Sequence, residues 1–575
     1  MGFYLITRRC EAKNLQKIKK INVMNNFLFE TIRIKKPKRN NFNLSHDVKL
    51  SMRMGQLVPI FCTDVVPGDT FKLNTELLIR FAPLIAPVMH RINVYTHYFF
   101  VPKRLVWDNW KDFITGGETG NENPSYPRFS LEKSDINLFS TGSLADYLGF
   151  PVRDDGVNGD GRFNGASFTF EVDALPFRAY SLIWNEYYRD QNLQDPIDIG
   201  TEFDGILTKL HQNFNPELLN LRSRAWTKDY FTSSLPFAQR GNPVSLPLGG
   251  TATLSPLSGV DRIYCKTRAN GNSVVRSNSG DALLDGALES DAGQLHVAGE
   301  QAYISDVNHY LQTSELANSV GVDLSKVSSS TIVELRNAFK AQEFLEAQAR
   351  GGSRYIEYVR NIFGVKSSDA RLQRPEYLGG GKQPVVVSDV MQTSQTTDSS
   401  ALATPAGAAA SLGKTHSFKR YFEEHGYIIG IMSVLPTPAY QQGLPKMFTK
   451  FDRYDHYLPQ FAHIGEQEVL SKELYFDPSQ GEENERVFGY APRYAEYKFI
   501  NSSVHGDFRT SLKYWHMGRI FANRPVLNGD FVTSDPTNRI FAVDSETDNL
   551  DKLWVNIHHN CTALRPMPKY GTPSI

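Results

Sequence analysis

The stretch HRINVYTHYFFV, residues 90–101, carries β-branched and aromatic residues almost without interruption and ends just before Pro102. A second stretch, GYIIGIMSVL at residues 426–435, is apolar at nearly every position. Segments of this length and composition, bounded by glycine or proline, are typical of buried β-strands. These two stretches therefore predict the centre of a β-sheet.

Weaker patterns extend this prediction outward. Residues 71–77 (FKLNTEL) alternate apolar and polar side chains, as half-buried strands do, and residues 56–63 and 493–500 are further candidate strands. The chain contains 30 prolines and 42 glycines, which separate these segments and favour a β-sandwich or barrel over alternating strands and helices. Helices are predicted over residues 107–114, 175–188 and 332–350, the last with a capping box of Thr331 and Glu334.

The composition restricts the class of protein. Hydrophobic residues make up 41% of the 575 positions and charged residues 22%, as in globular proteins, and no apolar run approaches the roughly 20 residues of a membrane helix. We therefore expect no membrane insertion. The four cysteines are widely spaced without a CxxC pair, which argues against a disulfide scaffold and against a zinc site.

The formal charge is zero, but the charges are unevenly placed. Residues 1–40 contain eleven Lys and Arg residues and only two acidic residues. A basic arm ahead of the first strand is a common arrangement for binding a polyanion, and a solvated leader without this role is the alternative. The candidate nucleic-acid-binding residues of this arm are Arg33, Lys35, Lys36, Lys38 and Arg39.

Two segments differ from the rest in composition. Residues 241–330 contain three aromatic residues, Tyr264, Tyr303 and Tyr310, although aromatics make up 12% of the chain. Because so few aromatics cannot share the main core, residues 242–330 are predicted to form a surface insertion. Residues 388–416 are mostly small and polar and are predicted to form a flexible loop.

A search for catalytic patterns finds no convincing one. There is no GxSxG elbow, no complete phosphate loop and no histidine pair with zinc-site spacing. Acidic residues do lie near aromatic ones, as at Glu423, Asp452 and Glu466, which is what a glycan-degrading enzyme would require. A β-sandwich that binds or degrades carbohydrate is therefore the alternative function, but we expect no catalytic residue, no metal site and no cofactor.

Basic residues also lie beside aromatic residues in four places, which are residues 224–226 (RAW), 419–422 (KRYF), 513–515 (KYW) and 519–521 (RIF). Single-stranded nucleic acid binds to such combinations through stacking and positive charge. Long basic side chains that cover the edge of an aromatic core give the same pattern, and for any single pair this second interpretation is favoured.

Several long motifs resemble the major capsid protein of the Microviridae, the small phages with circular single-stranded DNA, and most of all its gokushovirus branch. The motifs are KRNNFNLSHDVKLSMRMG (38–55), HYFFVPKRLVWDNWKDFITGG (97–117), RAWTKDYFTSSLPFAQRG (224–241) and LRNAFKAQEFLEAQARGGSRYIEYVRNIFGV (335–365). The gokushovirus branch carries a large insertion between the last two motifs, where composition marks one here. Proteins of the family begin close to the KRNNF motif, so Met24 is an alternative start.

The resemblance implies a mainly β fold, an eight-stranded antiparallel viral jelly roll with long, partly helical insertions, over residues 41–575, preceded by the arm of residues 1–40. It implies a virion protein, assembled in the host bacterial cytoplasm, of which sixty copies form a T=1 icosahedral shell around a single-stranded DNA genome. The further partners implied are internal scaffolding, DNA pilot and DNA-binding proteins and a host cell-surface receptor. The insertion would form a threefold protrusion used in host attachment, with Leu283, Leu284, Leu288 and Val297 as its contacts.

Overall fold

A computed structural model describes most of the chain. The residues described are 38–132, 138–151, 169–208, 215–242, 244, 253–256, 288–291, 294–297, 320–323, 332–352, 354–391, 405–414, 417–543 and 551–570. The chain divides into two compact units, one of residues 1–238 and 351–575 and one of residues 239–350.

The larger unit is mainly β-structure. Its strands are β1 (Asn40–Asn43), β2 (His46–Met52), β3 (Val58–Val65), β4 (Thr70–Phe81), β5 (Ile92–Pro102), β6 (Arg128–Glu132), β7 (Thr169–Asp173) and β8 (Ile206–Leu207). After the smaller unit, which contains β9 (Thr253–Pro256), β10 (Leu288–Asp291), β11 (Gln294–Val297) and β12 (Val320–Asp323), they continue with β13 (Glu376–Pro384), β14 (Val386–Met391), β15 (Pro405–Lys414), β16 (Phe418–Tyr421), β17 (Gly426–Pro436), β18 (Ala439–Tyr440), β19 (Glu466–Leu470), β20 (Val487–Pro492), β21 (Ser502–Ser503) and β22 (Leu553–Arg565).

The helices lie between these strands. They are α1 (Trp110–Thr115), α2 (Leu144–Tyr147), α3 (Leu175–Ile183), α4 (Ile332–Gly351), α5 (Tyr355–Phe363), α6 (Ser471–Leu474), α7 (Gly481–Asn484), α8 (Ala495–Lys498) and α9 (Gly529–Val532). A π-helical turn, Trp184–Tyr188, continues α3. The predicted helices over residues 175–188 and 332–350 are confirmed, and that over 107–114 is confirmed in its second half.

Two antiparallel sheets form the centre of the larger unit. The seven-stranded sheet has the order β1–β22–β4–β15–β14, with β2 also paired to β22 and β16 also paired to β4. The four-stranded sheet has the order β13–β5–β17–β3. Side chains from both sheets, such as Ile79 and Val555 of the first and Ile60 and Ile428 of the second, belong to one buried cluster. The two sheets therefore form a β-sandwich, which confirms the predicted mainly β class.

A buried chain of hydrogen bonds connects the two sheets. The Tyr98 hydroxyl on β5 donates to Thr75 Oγ1 on β4 over 2.6 Å, and Thr75 Oγ1 lies 2.9 Å from Nδ1 of His559 on β22. His559 Nε2 lies 2.8 Å from the carbonyl oxygen of Ile60 on β3. Because that oxygen can only accept, Nε2 carries the proton and Nδ1 accepts from Thr75. The network thus satisfies polar groups in the middle of an apolar core.

The second face of the four-stranded sheet is also covered. Phe99 of β5 and Ile429 of β17 point away from the sandwich core and pack with Trp107, Phe177 and other residues of the segment that follows β5. All eleven residues of β17 are buried. This explains why residues 426–435 are apolar at successive positions rather than at alternate ones, since both faces of the strand lie in a core.

A third buried cluster is formed mainly by the segment between β17 and β22, together with two aromatic residues from earlier in the chain. Tyr230 and Phe231 pack there against Tyr440, Val469 and residues of β20 and α9. In the smaller unit, β9 pairs with β12, β10 pairs with β11, and α4 forms a long helix. The described part of the segment predicted as an insertion thus contains the antiparallel strand pairs β9 with β12 and β10 with β11.

Two predictions from local composition fail where the structure describes the residues. Within residues 388–416, predicted as a flexible loop, residues 388–391 belong to β14 and residues 405–414 form β15 of the seven-stranded sheet, while residues 392–404, 415 and 416 lie outside the described residues. The small residues of β15 alternate between buried and exposed, as with Ala409 and Ala410, so they suit a strand without supplying aromatic bulk. Residues 493–500, predicted as a strand, instead contain the one-turn helix α8.

Candidate functional site

The outer face of the seven-stranded sheet carries a regular row of exposed and half-buried side chains. Along β4 and β22 alternate residues point inward to the core, and the remaining ones point outward. The outward side chains of β4 are Thr70, Lys72, Asn74, Glu76, Leu78 and Arg80. Those of β22 include Trp554, Asn556, His558 and Asn560. Cross-strand pairing adds Lys49 of β2 and Lys419 of β16 to the same face. We call this surface the cationic face.

The positive charges of the cationic face are only partly neutralised. Lys414 Nζ forms an ion pair with Glu76 at 2.7 Å. His558 Nδ1 contacts Asp47 Oδ1 at 2.6 Å, and this hydrogen bond lowers the pKa of Asp47. By contrast, Lys72, Arg80 and Lys419 form no ion pair with any residue that the structure describes.

Two of these cations lie directly opposite each other. Lys72 of β4 and Lys419 of β16 are paired across the two antiparallel strands, and both are exposed. Like charges at such a position destabilise a sheet unless an anion lies between or above them. The pair therefore marks a place where an external anion would be bound favourably.

Exposed aromatic rings stand among these cations. Trp554, whose exposed fraction is 51%, lies opposite Arg80 on the neighbouring strand. The guanidinium carbon of Arg39 lies 5.1 Å from the centroid of the Tyr421 ring. Aromatic platforms next to unneutralised cations are the features that bind single-stranded nucleic acid without sequence preference.

The structure describes part of the predicted basic arm. Lys38 and Arg39 lie just before β1, an edge strand of the seven-stranded sheet, and both are exposed. Arg33, Lys35 and Lys36 lie outside the described residues. The arm thus enters the sheet beside the cationic face, through the contact of Arg39 with Tyr421. Local sequence patterns did not identify Lys72, Arg80 or Trp554; for Lys72, the period-2 alternation of residues 71–77 was an available signal.

Other basic and aromatic neighbours in the sequence have structural roles. The Arg224 guanidinium lies 4.2 Å from the ring centroid of Tyr95, and burial lowers the pKa of Arg224. Arg519 packs on Phe531 at 4.2 Å and donates to its carbonyl oxygen. Both arginines cover aromatic rings within the protein, as the alternative interpretation of these pairs predicted.

The predicted protrusion contacts fall in the smaller unit. Leu288 begins β10 and lies opposite Val297, the last residue of β11, in an antiparallel pair. The remaining two residues, Leu283 and Leu284, are outside the described residues.

The acidic residues singled out from the sequence lie apart from one another along the chain. Glu424, next to Glu423, forms an ion pair with Arg104 at 2.6 Å. Asp455 accepts hydrogen bonds from the backbone of Phe451 and Asp452, which lowers its pKa. Within the described residues, no three His, Cys, Asp or Glu side chains are grouped so that they could hold a metal ion. The helices there include none that is both long and apolar enough for a bilayer.

Comparison with known proteins gives consistent results. Residues 30–575 match the family model described as capsid protein (F protein). The chain is 37% identical to capsid protein VP1 of Chlamydia phage 1, with 94% of this chain and 96% of the relative covered. It is 34% identical to capsid protein VP1 of Bdellovibrio phage phiMH2K (93% and 95% covered) and 31% identical to that of Spiroplasma virus 4 (93% and 95% covered).

Proposed function

The chain belongs to the capsid protein (F protein) family of phages, and from this we propose that sixty copies of it form a T=1 icosahedral shell around a circular single-stranded DNA genome. As a capsid protein it is a structural component of the virion and not an enzyme. A closed shell of identical copies requires contacts that repeat around symmetry axes, which one chain supplies through different parts of its surface.

We assign the sandwich to the eight-stranded jelly roll. One sheet contains the neighbours β2–β22–β4–β15 and the other the neighbours β3–β17–β5–β13. Successive strands among these eight pass from one sheet to the other, except that β5 and β13 are neighbours in the same sheet, and β14 and β16 are additions to the first sheet. This alternation is the strand order expected when two Greek keys form a jelly roll, and it supports the assignment.

The cationic face is assigned as the surface that meets the genome. The observation that carries this assignment is the opposed pair of Lys72 and Lys419, which no described carboxylate neutralises. Phosphate groups would replace the missing counter-charge and release counterions, and bases would stack on Trp554 or Tyr421. The basic arm, which reaches the same sheet at Lys38 and Arg39, would extend this contact to the DNA.

The insertion of residues 242–330 is assigned as an outward protrusion. Residues 239–350 form a compact unit of their own, which suits a part that varies without disturbing the sandwich. Three copies that meet at a threefold axis would bury Leu283, Leu284, Leu288 and Val297 and would present a surface to a host receptor. Internal scaffolding, DNA pilot and DNA-binding proteins are the other expected partners, with assembly in the host cytoplasm.

Production of the chain with its phage partners in a bacterial host tests this function. We expect particles that sediment as closed shells and retain single-stranded DNA against nuclease. Replacement of Lys35, Lys36, Lys38 and Arg39 by Gln should lower the DNA retained per particle while empty shells still form. If retention is unchanged, the arm is a leader or a shell contact and does not bind the genome.

A further inference from the structure

A cavity of about 660 Å³ lies at one end of the four-stranded sheet. Asn93 and Tyr95 of β5 line it, and their side chains are on the same face of the sheet as Phe99, away from the sandwich core. The end of β17 at Pro436 and the segment from Ser502 to Phe508 provide further walls. The volume is typical of cavities that bind small molecules. The cationic face belongs to the other sheet, so this cavity is a separate site.

The formal charges that line this cavity are all positive. Arg91 and Lys382 are the charged residues of its wall, and no Asp or Glu is among the described residues that line it. Neither cation forms an ion pair with a residue that the structure describes. Lys382 pairs with Tyr95 across β13 and β5, and its Nζ lies 5.5 Å from the centroid of the Tyr95 ring.

A third cation contacts the same ring. The guanidinium carbon of Arg224 lies 4.2 Å from the centroid of the Tyr95 ring, and its Nη1 donates to Ser433 Oγ at 2.9 Å. Within the part of the chain that the structure describes, no carboxylate pairs with Arg224. A cation withdrawn from water without a counter-charge costs free energy. An anion in the cavity would therefore be attracted by three side chains.

Two histidines of the cavity wall are held neutral. His90 Nε2 lies 2.7 Å from the carbonyl oxygen of Thr437, and His516 Nε2 lies 2.8 Å from that of Phe508. The backbone N–H of Gly518 donates to the other ring nitrogen of His516 at 3.0 Å. Burial lowers the pKa of both rings. The charge of the cavity therefore comes from arginine and lysine, which are protonated at neutral pH.

A buried acceptor without a donor lies in the same cavity. Asn93 is 4% exposed, and no donor among the described residues reaches its Oδ1. Its cross-strand neighbours, Pro384 and Leu435, have no polar side chain to offer. Buried polar atoms are almost always hydrogen-bonded, because an unsatisfied one costs free energy. A ligand with an N–H group would satisfy this oxygen.

We propose that this cavity binds a nucleotide, whose phosphate is held by Arg91 and Lys382 and whose base donates an N–H to Asn93 Oδ1. A phosphate group accepts hydrogen bonds from several cations at once. The rings of Tyr95 and Phe508, which also line the cavity, supply aromatic surface for the base. A nucleotide combines the anionic end and the donor end that the cavity requires. The proposal does not depend on the shell function.

Two variants test the two ends of the site. Arg91→Gln with Lys382→Gln removes the charges for the phosphate, and Asn93→Leu removes the acceptor for the base. Lys111→Gln with Arg336→Gln is the matched control, since both residues are exposed and lie outside the cavity and the cationic face. Circular dichroism and thermal melting check the fold. Asn93→Ala replaces Asn93→Leu if the larger side chain disturbs the fold.

Calorimetric titration of the full-length chain gives the test. We expect dAMP to bind at least tenfold more tightly than deoxyadenosine, which has no phosphate, or inorganic phosphate, which has no base. The charge variant should weaken dAMP binding at least tenfold, and the control should stay within twofold of wild type. Asn93→Leu should weaken dAMP binding at least fivefold and leave the affinity for inorganic phosphate within twofold.

A short single-stranded oligonucleotide without a terminal phosphate distinguishes the two sources of the nucleotide. If it displaces dAMP from the wild-type chain, the site takes a nucleotide within a DNA strand, and if it does not, the site takes a free nucleotide. Absence of dAMP binding, or equal affinity in the charge variant and the control, would overturn the site. Unchanged dAMP affinity in Asn93→Leu would overturn the assignment of the base, and none of these results would affect shell formation.

Discussion

His559 of one sheet bonds the carbonyl oxygen of Ile60 in the opposite sheet, 2.8 Å away, through a ring that is fully buried. The ring must be neutral to make both of its hydrogen bonds, because its Nδ1 accepts from Thr75. Burial lowers the pKa of His559 to about 4, against 6.5 for a free histidine. Each pH unit between these values costs about 1.4 kcal/mol of folding free energy.

We therefore expect the subunit to lose stability as the pH falls from about 6.5 to 4, since the unfolded chain takes up a proton at His559 and the folded chain does not. Above pH 6.5 this contribution is fully present. Denaturant unfolding at a series of pH values measures the effect, and a His559→Gln variant should show a shallower slope across this window. An identical slope in the variant would assign the pH dependence to other histidines, such as His97, whose pKa burial also lowers to about 4.

Neutralising the opposed cations should weaken DNA retention. The double variant Lys72→Gln with Lys419→Gln removes two charges that have no described carboxylate partner. We expect particles to retain less DNA, and we expect the slope of log affinity against log salt concentration to become shallower by roughly 1.4, as for two contacts to single-stranded DNA. Lys111→Gln with Lys513→Gln removes two exposed charges elsewhere and is the control. Equal retention in both double variants would argue that the cationic face does not contact the genome.

Replacing residues 250–320 with a short Gly/Ser linker separates attachment from assembly. These residues lie within a unit that is compact by itself, so we expect shells to form without them. Such shells should fail to bind host cells in an adsorption assay. If no shell forms, the segment fills a gap between subunits and is not a protrusion.

The glycine at position 430 should not tolerate a side chain. A Cβ there would lie 2.6 Å from the Tyr98 ring and 3.0 Å from Phe61 Cβ, between the two strands that flank β17. We expect Gly430→Ala to reduce the free energy of unfolding by about 1–3 kcal/mol. Gly481→Ala, where no atom lies within 4 Å of the added carbon, should change it by less than about 0.5 kcal/mol. Denaturant unfolding of both variants measures these changes in the free energy of unfolding.

The central strands could be predicted from the sequence because they are buried and therefore consist of long runs of apolar residues. The stretch at 90–101 corresponds to Ile92–Pro102, and the stretch at 426–435 to Gly426–Pro436. The strand β15 could not be predicted in this way, because its alanines and serines pair with β4 through backbone groups and carry little side-chain signal. Composition identifies a buried strand through its large apolar side chains, and a strand of small residues such as β15 has almost none of them.

The cationic face shows a different limit. Lys72 and Lys419 are separated by most of the sandwich in sequence and become neighbours only when β16 pairs with β4. A local pattern identifies charge runs such as the basic arm, but it cannot identify charges that one sheet brings together from distant strands. The motifs that resemble the capsid family supplied the function, while the position of this face required the strand pairing.

Strand β17 has both of its faces in apolar clusters, one inside the sandwich and one outside the four-stranded sheet. Neither cluster can melt alone, because loss of this strand from either one exposes its other face to water. The sandwich and the segment that covers it should therefore unfold in a single cooperative transition. A proteolytic cut in that covering segment would not release a stable smaller sandwich. It would expose the apolar outer surface of the four-stranded sheet and lead to aggregation.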